Sequence, residues 1–141
     1  MEIIIKIITF ISIITLIVLP IVILNKIYKR NTKNIFIIYL ITSIITTFIL
    51  VLIVGWWGSF SNEILLSYYG FDFDAMNDIE RFKNVALENL EKVKELEKNT
   101  LGIGWPLKAF MFFLIYSPYL LIVYISTYFY RKNSKHELLA K

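Results

Sequence analysis

The sequence contains no cysteine. That excludes disulfides, thiolate metal sites and a thiol nucleophile. Its one histidine, His136, stands near the C-terminal end, so a histidine-based metal site or a Ser-His-Asp triad has too few parts. Glycine is scarce, and Gly102 and Gly104 have neither the third glycine nor the preceding strand that a phosphate loop needs. Asp72, Asp74 and Asp78 invite comparison with a calcium loop, but Met76 and Asn77 stand where such a loop needs an acid and a glycine. Capping of a following helix explains these acids better. No catalytic residue, cofactor or metal is therefore expected, and the chain reads as non-enzymatic.

A further absence concerns charge. No Asp, Glu, Arg or His lies deep in the three long apolar blocks of the chain. Proton relays, voltage sensors and ion-coupled carriers are usually built on such residues. Lys6 and Lys108 stand about one turn from the ends of their blocks, within snorkelling reach of an interface.

What is present is apolar surface. Of the 141 residues 57% are hydrophobic and 18% charged, with a mean hydropathy of +0.65. Soluble domains carry about 45–50% apolar and about 25% charged residues. The excess is concentrated in Ile3 to Asn25, Ile35 to Trp57 and Leu107 to Tyr130. A bilayer core about 30 Å thick needs roughly 20 helical residues, so each block is long enough to cross. Runs such as "IIIKIITFISIITLIV" would favour strand in water. In lipid every backbone polar group must be satisfied within the segment, which requires a helix. The first block is expected to be a retained span: the basic "KIYKRNTKN" follows it where a leader would show small residues.

The charges sort by side. Lys26, Lys29, Arg30 and Lys33 form the short connector, with no acid among them; Arg131, Lys132, Lys135 and Lys141 in the tail face Glu137 alone. The long connector from Gly58 to Pro106 carries nine acids and five bases, a balance of −4. Lys and Arg in short loops stay on the cytoplasmic side. The expectation is an integral protein of a bacterial cytoplasmic (inner) membrane, with the N-terminus and long connector outside and the C-terminus in the cytoplasm. Trp56, Trp57 and Trp105 mark the outer interface. The excess positive charge follows from this sorting and gives no reason to expect nucleic acid.

Within the long connector, Ile79, Phe82, Ala86, Leu90, Val93 and Leu96 fall on one face at helical spacing. This predicts one amphipathic helix over about 75–98, with Asn77 and Glu80 at capping-box spacing and Glu88 and Lys92 as an i,i+4 pair. Such a helix needs something to cover its stripe. Ile79, Phe82, Leu90, Val93 and Leu96 are the candidate partner-facing residues. The run from Ser61 to Gly70 reads as a separate, half-embedded interfacial turn. In the second block Thr42, Ser43, Thr46 and Thr47 form a hydroxyl strip, and Thr9, Ser12 and Thr15 recur in the first. Small hydroxyl residues favour close helix packing. Pro20 and Pro118 should kink their spans.

The fold class expected is thus an all-α integral membrane protein: three transmembrane helices with one amphipathic extramembrane helix between the second and third, in a single membrane domain. The expected role is an accessory subunit or interaction protein whose outer helix docks on its own spans or on a partner. The partners expected are the lipid bilayer and another membrane protein or a second copy. Two alternatives stand beside it: an immunity-type protein against a pore-forming toxin, an analogy of architecture only, and a small homo-oligomeric channel lined by the hydroxyl strip.

Overall fold

The computed structural model describes residues 1–30 and 33–139, with side chains as far as Asn133. The sequence expectations for Lys135, His136, Glu137 and Lys141 lie outside the described side chains. Helix α1 runs Glu2–Lys29, α2 Ile35–Tyr68, α3 Asp78–Arg81, α4 Leu90–Leu101 and α5 Trp105–Leu139, with a 3-10 turn at Leu87–Asn89. No strand occurs among the described residues. Three of the helices, α1, α2 and α5, are long and apolar enough to cross a membrane. Much of their apolar surface points away from the protein, as at Ile3 (74% exposed) and Ile115 (77%).

Two compact units divide the chain: Met1–Ser12 with Leu52–Ala109, and Ile13–Val51 with Phe110–Lys141. In the second unit Leu24, Ile27, Tyr39 and Val123 form the buried core. Tyrosine hydroxyls clasp backbone carbonyls across it: Tyr39 to Leu120 at 3.0 Å, Tyr116 to Leu16 at 2.6 Å and Tyr119 to Ile17 at 2.9 Å. Pro20 explains one of these contacts. It has no N–H, so the Leu16 carbonyl four residues earlier loses its helical partner, and Tyr116 supplies the missing donor. Pro118 frees Leu114 in the same way, and Ser117 Oγ donates to that carbonyl at 2.9 Å. In lipid an unpaired carbonyl costs several kcal/mol, roughly, so such repairs matter.

In the first unit α2 continues without a break through Gly55 and Gly58 to Tyr68. The run from Ser61 to Gly70 is therefore not a separate interfacial turn, as its length had suggested, but the end of α2. No proline interrupts it, and glycine alone only weakens a helix. At Gly55 an added Cβ would sit 2.9 Å from Ala109 Cβ, so glycine permits a close approach. Trp57 Nε1 donates to Thr9 Oγ1 at 3.3 Å.

The end of α2 is a Schellman cap. Phe71 N–H donates to the Leu66 carbonyl and Gly70 N–H to Ser67, while Gly70 takes φ +85°. The apolar contact that usually accompanies this cap is here between Phe71 and Leu66, both buried in one cluster with Val85 and Val93.

Candidate functional site

The connector after Phe71 departs from the single helix expected over 75–98. Asn77 Oδ1 accepts the Glu80 N–H at 2.8 Å and starts α3, but α3 lasts one turn. The chain then bends through Phe82–Val85 and takes an extended conformation at Ala86 before the 3-10 turn and α4. The cause is packing against the α2 cap. The Asn84 carbonyl lies 2.6 Å from where a Gly70 Cβ would be, and Asp72 N–H donates to the Arg81 carbonyl at 3.1 Å. Val85 turns into the Leu66–Phe71 cluster, while Ala86, which the helical stripe placed inward, is exposed.

The five candidate partner-facing residues divide accordingly. Val93 is fully buried, and Phe82, Leu90 and Leu96 pack around it against Leu66, Phe71 and Val85. Ile79 is left out, 87% exposed. Met76 and Leu87, outside the stripe, are as bare at 97% and 90%, and Phe73, Leu101 and Ile103 are exposed to a lesser degree. The sequence held a signal for Met76 and Leu87, since both are large apolar side chains in a charged segment, but the assumption of one continuous helix concealed it.

Polar contacts tie the connector down. Arg81 Nε donates to the Ala75 carbonyl at 3.1 Å, and its guanidinium lies 3.8 Å from Glu97 and 3.6 Å from Asp78. Lys92 does not take up Glu88, the partner its spacing suggested. It reaches Tyr69 Oη at 2.9 Å and pairs with Glu2. Lys108 Nζ donates to the Asn99 carbonyl at 2.6 Å. A cation there complements the negative end of α4.

The hydroxyl strip lies in the second unit and also divides. Ser43 and Thr47 are buried, whereas Thr42 is exposed and Thr46 half-buried, its hydroxyl donating to the Thr42 carbonyl at 2.7 Å. Thr47 Oγ1 has no hydrogen-bond partner among the described residues. Among those residues, no group of three or more His, Cys, Asp or Glu side chains gathers as metal ligands would. No family model, curated protein or solved structure matches the chain.

Proposed function

We propose that the chain is an integral membrane protein that acts by binding rather than by catalysis: an accessory subunit or interaction protein whose outward-facing connector docks on a second membrane protein. The supporting observation is the near-complete exposure of Met76, Ile79 and Leu87 on a connector that also leaves Phe73, Leu101 and Ile103 exposed, while Phe71, Val85 and Val93 are buried. Large exposed apolar side chains mark interaction surfaces where they are contiguous, and this reading takes the three as one patch. The connector's net negative charge favours a protein over an anionic lipid surface, which selects basic helices. In this reading α1, α2 and α5 cross a bacterial cytoplasmic membrane, the basic connector and tail face the cytoplasm, and the acid-rich connector faces outward.

A pore lined by the hydroxyl strip gets less support. Ser43 and Thr47 are buried within one chain, which leaves only half of the strip for a lumen between copies.

The test is site-specific photocrosslinking in intact cells from position 79 or 87, with position 94 as a control on the polar face of α4. A discrete protein adduct from 79 and 87, absent from 94, is expected. Lipid adducts alone from 79 and 87 would overturn the reading.

A further inference from the structure

The second unit holds a cleft of about 1380 Å³ between the C-terminal turns of α1, the start of α2 and the polar end of α5. Its lining includes Lys33, Arg131 and Lys132, and no acidic side chain is among the residues that form it. Tyr28, Phe36 and Tyr124 supply aromatic walls. Arg131 is held in place there. Its guanidinium carbon stands 4.2 Å from the centre of the Tyr28 ring and one nitrogen donates to Asn25 Oδ1 at 3.0 Å. Phe36 meets Tyr124 edge to face at 4.9 Å. Lys33 and Lys132 form no ion pair among the described residues.

Two properties of the cleft define its occupant. Three cations with no acidic side chain beside them among the described residues call for an anion. The same lining also reaches Ile37 and Phe36, which are exposed apolar residues at the start of α2. A small soluble anion would use the charges and leave the apolar wall wet. An amphiphile, with an anionic head joined to hydrocarbon, matches both parts. Basic pockets between spanning helices on the cytoplasmic side suit phospholipid headgroups for these reasons.

We propose that this cleft seats the headgroup of an anionic phospholipid, with the phosphate between Lys33, Arg131 and Lys132 and the acyl chains running along the apolar start of α2. The assignment rests on the long helices crossing a bilayer, but not on the connector's partner.

The test uses the full chain in nanodiscs of phosphatidylcholine mixed with phosphatidylglycerol, with retained lipid read by native mass spectrometry. Preferential retention of phosphatidylglycerol is expected. Lys33→Gln and Lys132→Gln should each lower that preference about fivefold, while Lys29→Gln, outside the lining, should leave it unchanged. Neither variant touches the Arg131 contacts, and circular dichroism verifies that the helices persist. Three results would overturn the proposal: equal retention of the two lipids, a preference that Lys29→Gln lowers as much as the cleft variants do, or a preference that Lys33→Gln and Lys132→Gln both leave unchanged. The readout is independent of crosslinking from position 79, so either idea can fail alone.

Discussion

Tyr116 donates to the Leu16 carbonyl at 2.6 Å, and that carbonyl is the one Pro20 leaves without an amide partner. The relationship predicts a double-mutant cycle. Tyr116→Phe should cost about 1–3 kcal/mol, because a buried acceptor is left unsatisfied. In a Pro20→Ala background the helix supplies its own donor to Leu16, and the same substitution should cost much less. Unfolding in mixed micelles measures both. Equal costs in the two backgrounds would break the link between the two residues.

Gly55 should tolerate no larger side chain while Ala109 stays as it is, since their Cβ positions would come within 2.9 Å. Gly55→Val is expected to lower stability by about 1–3 kcal/mol through overpacking. Adding Ala109→Gly should recover part of the loss. Thermal melts of the single and double variants in detergent decide it.

Gly70 combines positive φ with the nearby Asn84 carbonyl. Gly70→Ala should therefore cost at least about 1–2 kcal/mol for the left-handed conformation alone. It should also loosen the segment after it, seen as faster protease cleavage between Phe71 and Asn89. Gly58→Ala is the matched control, because nothing lies within 4 Å of an added Cβ there; it should melt no lower than the parent.

The inward and outward apolar residues of the connector should behave oppositely. Leu66→Ala, at a fully buried site, should cost about 2–5 kcal/mol. Ile79→Ser should change stability by no more than about 0.5 kcal/mol yet reduce crosslinking to the proposed partner from position 87. A stability loss at Ile79 comparable to that at Leu66 would mean it is covered in the membrane-bound protein by the chain itself.

The absence of cysteine makes the orientation simple to read. Single cysteines at Glu88 and Lys29 are the only thiols in their variants. In intact cells an impermeant maleimide should label position 88 and spare position 29 until the membrane is opened. The reverse pattern would invert the proposed topology.

The three long helices were legible because their signal is local: an uninterrupted apolar run carries its own length and hydrogen-bonding requirement. The connector was legible only in part. Asn77 did cap a helix, and Val93 and Leu96 did fall on an apolar face, since both depend on neighbours a few residues away. The break after Arg81 depends on Gly70 and Phe71, which belong to the cap of another helix, and helical periodicity cannot register that. It even concealed the break, because Phe82 and Leu90 remain inward on both sides of it. The repair of Leu114 by Ser117 stood in plain sequence beside Pro118. The repair of Leu16 lies a hundred residues from its donor and needed the fold. The same holds for the basic cleft, whose three walls come from separate helices.

Pro20 stands in mid-helix, the usual place for a swivel, but its surroundings argue for a lock. If α5 turned or slid past α1 within the second unit, Tyr116 and Tyr119 would be pulled from Leu16 and Ile17 together, leaving the Leu16 carbonyl without a donor. Motion at this level would have to carry both segments as one piece. A partner that acts on the protein would then be felt as a change in tilt or position of that piece rather than as bending at the proline.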